Sequence, residues 1–308
     1  MVKRWWSYQR ERFPILAHGL LIAAFSLAAV GYTAHMLGRP EVPAAAAAVA
    51  FAGSFLFFVQ LRVADEFKDF EEDARHRPER PVPRGLVSLR ELGGLAALAA
   101  LAQLGLALWL NPALAAPLII AWAYLGLMTA EFFVPAWLAA RPGLYLVSHL
   151  VILPLVGLFA SACIWLPAGP APAGLGWFLA VCFGTGAVLE IGRKLRAPCN
   201  ERPEFRTYSA AWGGTRAVGV WLAALVLTSA CAVMAARGIG FLMPAATVLV
   251  LLLAAAAVIT GRFLVAPDAG AARRFETFSG VWTLLVYLSV GVGPMCWYWW
   301  SSGLGSGR

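Results

Sequence analysis

With 308 residues, 61% of them hydrophobic and only 13% charged, and a mean hydropathy of +0.74, the chain excludes an ordinary soluble domain and falls in the polytopic membrane class. The formal net charge of +8 raises nucleic acid as a partner, but the basic residues lie in short loops between apolar runs, which argues against it. The five cysteines (Cys163, Cys182, Cys199, Cys231 and Cys296) are scattered without paired spacing, so neither a disulfide framework nor a zinc site is expected.

The opening stretch MVKRWWSYQRERFP is basic and aromatic, and Trp5 and Trp6 beside Lys3 and Arg4 read as an interfacial anchor. The apolar run behind it has no convincing cleavage site and is expected to be an uncleaved first span rather than a signal peptide. Runs of roughly 20 apolar residues recur at about 15–37, 43–64, 86–110, 113–134, 143–166, 173–192, 215–236, 241–263 and 279–300. They predict an all-α bundle of about nine transmembrane helices, embedded in the lipid bilayer as one domain over 1–308. If the amino terminus is cytoplasmic, every Lys and Arg except Arg39, Arg237 and Arg308 falls on inside loops or their span ends, as the positive-inside rule requires. The two charge-rich loops, about 62–90 and 190–214, then face the cytoplasm. The Ala-, Leu- and Arg-rich composition points to a bacterial cytoplasmic membrane.

The first charge-rich loop, RVADEFKDFEEDARHRPERPVPRG, holds seven acidic and six basic residues. Asp65, Asp69 and Asp73 recur every four positions, which on a helix places them in one stripe. Glu66 and Lys68 stand beside them. The prolines after Arg77 and Arg80 end the helix and fix the arginines near the carboxylates. Hard oxygen ligands of this kind suit Mg²⁺, which often bridges carboxylate and phosphate. The plain alternative is a solvated loop whose charges set topology.

The second loop, EIGRKLRAPCNERPEFRTYSAAWG, places Glu190 at a span end with Arg193, Lys194 and Arg196 just beyond. Glu201, Glu204 and Arg206 follow, then Thr207, Tyr208 and Ser209. Glu190 and Lys194 are spaced to pair as i, i+4 neighbours. A positive-inside anchor accounts for the cations. Alternatively they grip phosphates while Glu190 or Glu201 completes a metal site. Two such loops on one membrane face predict two similar halves across a pocket.

At this point the chain resembles the UbiA superfamily of intramembrane prenyltransferases over nearly its whole length. The family's first motif, Asn-Asp-x-x-Asp-x-x-x-Asp before an Arg-Pro stretch ending in Gly, corresponds to Asp65, Glu66, Asp69 and Asp73, then Arg77, Arg80, Pro81 and Gly85. Asp65 and Glu66 replace the motif's Asn and Asp, keeping metal-capable oxygens. The second motif departs further, because no Asp-x-x-x-Asp exists here, while Thr207 and Gly213 keep the family's spacing. The family also carries a basic residue between the fourth and fifth spans, and Arg141 is the matching position. Glu131 and His149 nearby are rare ionisable groups at membrane depth: Glu131 is a candidate acceptor-binding group or base, or an interfacial Glu satisfied by a neighbouring helix, and His149 a pocket-wall residue or a hydrogen-bonded packing histidine.

The resemblance implies a prenyl diphosphate donor from the bilayer and a hydrophobic acceptor. It implies Mg²⁺ at Asp65, Asp69 and Asp73 with Glu66 and Glu190 assisting. The diphosphate is then expected to meet Lys68, Arg77, Arg80, Arg141, Arg193, Lys194, Arg196 and Tyr208. Tyr124, Phe132, Phe133, Tyr145 and Trp212 are aromatic candidates for shielding an allylic cation. Three readings follow: transfer to an aromatic or lipid-like acceptor, an intramembrane terpene cyclase, or a transporter using the carboxylates as an ion site. The last sits poorly with acidic clusters at the membrane edge rather than at broken helices near the midplane.

Overall fold

A computed structural model describes residues 2–201, 207–268 and 270–305, with side chains described for residues 3–302. Every regular element among the described residues is a helix, with no strand among them. A short amino-terminal helix, α1 (Val2–Arg12), stops at Pro14. The candidate spans are then α2 (Ile15–Met36), α3 (Ala44–Lys68), α5 (Leu89–Leu110) and α6 (Ala115–Thr129, with a 3₁₀ turn from Pro112). They continue with α8 and α9 (Pro142–Leu150 and Ile152–Trp165), α10 (Leu175–Arg193), α12 (Gly214–Gly238) and α13 (Leu242–Val265). The last is α14 (Ala271–Tyr287), which runs through a π-turn into α15 (Gly293–Gly305). Three short helices connect them: α4 (Phe70–His76), α7 (Pro135–Ala139) and α11 (Tyr208–Trp212). Nine helical segments among the described residues are thus long and apolar enough to span a bilayer.

The boundaries follow local chemistry. α5 begins at Leu89 rather than 86 because Ser88 and Glu91 close a reciprocal capping box. The fourth span stops at Thr129, short of the expected 134, because Glu131, Phe132 and Phe133 all adopt left-handed backbone, with φ of 46, 53 and 61°. The last span starts at Ala271 rather than 279. Its charged first turns hide the hydropathy signal, yet Ala271, Phe275 and Ser279 are buried on one face.

α2 stands between two groups of helices. It touches α3 and α9 on one side and α10, α14 and α15 on the other; α3 also packs on α5 and α9, while α10 packs on α12 and α14. Within lipid, helix association depends on close packing and interhelical hydrogen bonds rather than on hydrophobic burial. Gly291 supplies the first, since a Cβ there would lie 2.4 Å from Ala28 Cα. Gln103 supplies the second, donating to Gly53 O at 2.9 Å and accepting from Trp122 Nε1 at 3.1 Å. Large apolar side chains such as Leu98, Leu101, Trp109 and Leu251 face outward, as a lipid-facing surface requires.

Candidate functional site

The acidic stripe is real but chemically uneven. Asp69 N donates to Asp65 O at 2.9 Å and Asp73 N to Asp69 O at 2.8 Å, so the helical ladder crosses the bend between α3 and α4. Asp65 is exposed and pairs with Arg62 at 2.9 Å. Glu66 is buried against Arg12, at 2.5 Å, with Arg62 at 3.8 Å. Asp73 is also buried and is held by Arg80, by Arg77 at 3.4 Å and by Arg12 at 3.8 Å. Among the described residues no arginine pairs with Asp69. Burial pushes its carboxyl above the usual range, the neighbouring Asp65 carboxylate adds to the effect, and Lys68 opposes it.

Arg12 was not among the residues singled out from sequence, yet α1 delivers it to two motif carboxylates at once. A signal existed: the loop carries one more acid than base, so a cation from elsewhere was needed.

Lys68 points away from the motif into a polar cluster between α6 and α8. Its Nζ lies 2.8 Å from Glu131 Oε1, bonds the Tyr145 hydroxyl and lies 3.3 Å from His149 Nε2. The His149 ring stacks on Tyr145 at 4.0 Å, and its Nδ1 lies 2.9 Å from Tyr145 O. That carbonyl needs a donor and Lys68 is one, so His149 is assigned as the Nδ1–H tautomer. Tyr124 lies 5.6 Å from Phe132, which meets His149 edge-on at 6.1 Å. Glu131 belongs to the left-handed turn. Such backbone costs about 1–2 kcal/mol per residue and persists where surrounding contacts hold it.

In the second loop Glu190 is gripped by Arg193 and by Lys194, the latter at 2.7 Å. Arg196 NH1 donates to Arg193 O at 2.8 Å, and its backbone N to Ser209 Oγ at 2.8 Å. Thr207 caps α11 by accepting from Ala210 N, and donates to Glu201 Oε2 at 2.7 Å. Gly213, with φ +82°, ends α11 and turns the chain into α12. The Thr-to-Gly spacing therefore has a local cause, a cap at one end and a left-handed turn at the other. Tyr208 stacks on Trp212 at 4.6 Å, with Lys194 Nζ 5.6 Å from its ring. Burial, then the Glu190 charge, pushes the Tyr208 phenol up. Glu204 and Arg206 lie outside the described residues.

The two loops face each other. Asp65 of the first loop lies within electrostatic reach of Arg193 of the second, and Tyr145 of α8 within reach of Tyr208. Arg141 does not join them. It is exposed, donates to Trp137 O at 3.0 Å and stacks 4.4 Å from the Trp137 ring. Phe133 is also turned outward, 78% exposed.

The donor set fits a Mg²⁺ ion. Asp65 and Asp69 are adjacent hard-oxygen donors whose mutual repulsion a cation would relieve, and Mg²⁺ commonly takes only one or two protein carboxylates beside water and phosphate. Among the described residues no three His, Cys, Asp or Glu side chains converge as a ready-made cage.

Residues 20–283 match the UbiA prenyltransferase family. The chain belongs to that family. Solved structures agree in fold. A UbiA homologue from Aeropyrum pernix K1 superposes with a TM-score of 0.68 at 14% identity, covering 89% of this chain and 96% of its own. A digeranylgeranylglyceryl phosphate synthase gives 0.64 at 14% identity, covering 95% and 99%. A UbiA homologue from Archaeoglobus fulgidus, bound to DMAPP and Mg²⁺, gives 0.55 at 13% identity, covering 92% and 98%. No curated protein sequence matches the chain. This UbiA-family chain is thus an integral membrane protein with two polar loops at the ends of its spans.

Proposed function

We propose that this UbiA-family chain ionises a prenyl diphosphate between its two polar loops and transfers the prenyl group to an aromatic or lipid-like acceptor. The observation that carries the reading is that Asp65 of the first loop lies within electrostatic reach of Arg193 of the second, with Tyr145 of α8 within reach of Tyr208. Asp65 and Asp69 are the metal-holding carboxylates. Asp73 and Glu66 stand behind them, fixed by Arg12, Arg77 and Arg80. Mg²⁺, when bound, neutralises charge that builds on the departing diphosphate. Arg193, Lys194 and Arg196 would meet the diphosphate oxygens, and Glu190, which pairs with Arg193 and Lys194, would assist the metal. Lys68 holds the cluster of Glu131, Tyr145 and His149 beside the reacting carbon, where a proton lost from an acceptor can be taken up. Tyr124, Phe132 and Tyr145 supply aromatic faces for an allylic cation and help exclude water. The loops face the cytoplasm, as the distribution of Lys and Arg supports.

Purified protein is given C10 to C20 prenyl diphosphates with Mg²⁺, without acceptor and then with a membrane extract. Pyrophosphate release that Asp69→Ala abolishes is expected, with a prenylated product in the extract. A cyclised hydrocarbon in the tube without acceptor would replace transfer by cyclisation. Release by neither tube would overturn the reading.

A further inference from the structure

A cavity lies beside the first loop, between α1, α3 and the start of α5. It measures about 510 Å³ and is almost wholly apolar, with Trp5, Phe13, Phe55, Val59 and Leu95 in its wall. Arg62 and Gln9 are the polar groups at its edge, and the exposed residues Trp6 and Ile15 complete its lining. One wall is α1, a strongly basic helix whose Tyr8 and Trp5 pack on Val63 of α3, Val82 and Val87 of the loop before α5, and Leu92 of α5. Lys3 and Arg10 on that helix are exposed and form no ion pair among the described residues. The arrangement is apolar space at span depth beneath an interfacial helix with free cations. That chemistry matches a lipid acyl chain below an anionic headgroup.

We infer that this cavity binds one acyl chain of an anionic glycerophospholipid, with the phosphate held near Lys3 and Arg10. The occupant is anionic because of charge complementarity. α1 carries Lys3, Arg4, Arg10 and Arg12 against a single acid, Glu11, which is bound to Arg84 at 2.8 Å. Occupancy reaches the first motif by two routes. Arg62 in the cavity wall pairs with Asp65, and α1, which the lipid fastens, carries Arg12 to Glu66 and Asp73. The lipid therefore steadies the carboxylate loop without entering the reaction.

The test is native mass spectrometry of detergent-purified, delipidated protein titrated with phosphatidylglycerol or phosphatidylcholine, with melting temperature read in parallel. One phosphatidylglycerol is expected to persist at collision energies that strip phosphatidylcholine, and to raise the melting temperature. Val59→Trp, which fills the cavity, is expected to lose that adduct and the shift while melting near the wild type without lipid. The Lys3→Gln, Arg10→Gln double variant leaves the cavity intact and is expected to weaken phosphatidylglycerol retention about tenfold, with phosphatidylcholine unchanged. Equal retention of both lipids by the wild type, or a phosphatidylglycerol adduct that survives Val59→Trp, would overturn the assignment. If Val59→Trp fails to fold, the double variant decides alone, and unchanged retention in it rejects the headgroup site.

Discussion

Lys68 and Glu131 meet at 2.8 Å, each 18% exposed, although one closes the third helix of the chain and the other sits in the turn after the fourth span. The contact ties the first motif to a backbone that is left-handed at three successive residues. Removing one partner strands the other in a half-buried site. Lys68→Met and Glu131→Gln are each expected to cost about 1–2 kcal/mol, less than a fully buried pair because water still reaches both groups. The double variant should cost clearly less than the sum. Chemical or thermal unfolding in detergent measures the cycle, and additive losses would show that the pair is not coupled.

Asp69 and Asp73 are separated by one helical turn but should answer mutation differently. Asp69→Asn removes a carboxylate crowded by other carboxylates, so the fold should hold while pyrophosphate release drops at least about 100-fold, the usual scale for losing transition-state charge stabilisation. Asp73→Asn removes the buried carboxylate that holds Arg80 and is shared by Arg77 and Arg12, and should destabilise by about 3–5 kcal/mol. Arg12→Ala should destabilise in the same direction, by leaving buried Glu66 to Arg62 at 3.8 Å. Paired melting and activity measurements separate the two classes. An Asp69→Asn protein that unfolds, or an Asp73→Asn protein as stable as the wild type, would contradict the division.

Much of this was legible in the sequence, and the exceptions have physical causes. Apolar runs located the spans because lipid demands them, and the period of four located the stripe because α3 and α4 share a hydrogen-bond ladder. The partition within the stripe was not legible. Exposed Asp65 and buried Asp73 look alike in one dimension, and the difference comes from the arginines that close on Asp73, of which Arg12 arrives from α1. The end of the fourth span was missed because Glu131, Phe132 and Phe133 carry no glycine to announce a left-handed turn. Lys68, Glu131, Tyr145 and His149 were all candidates, but sequence alone did not join them into one cluster.

The pH dependence follows from Asp69. Its carboxyl is raised, mainly by burial and then by Asp65, so protons compete with Mg²⁺ at pH values above the ordinary Asp range near about 3.9. The sign is fixed. Ionised Asp69 is disfavoured in the folded protein, and a bound cation favours it. Half-saturating Mg²⁺ should rise as pH falls through the mildly acidic range, and excess Mg²⁺ should restore activity. A Mg²⁺ requirement that is flat with pH would count against Asp69 as a ligand.

Phe133 offers a test of the strained turn. Its φ is 61° and its ring is 78% exposed, so it contributes strain and little packing. Phe133→Gly should stabilise the protein by about 1 kcal/mol by relieving left-handed backbone. Phe133→Val should destabilise it, since a β-branched residue tolerates that region least. Melting temperatures moving in the same direction for both would refute the argument.

The contact between Gly291 and Ala28 has a consequence for how the protein is made. It joins the first span to the last, through backbone that approaches only because Gly291 has no side chain. A ribosome delivers these segments at the beginning and end of synthesis, so α2 must wait in the bilayer with one face uncovered while seven other spans enter. The bundle closes late, through a contact of very high sequence separation, the kind that folds slowly. Gly291→Ala should therefore injure assembly more than it injures the protein once assembled, and the yield of membrane-inserted protein should fall before the activity of each surviving molecule does.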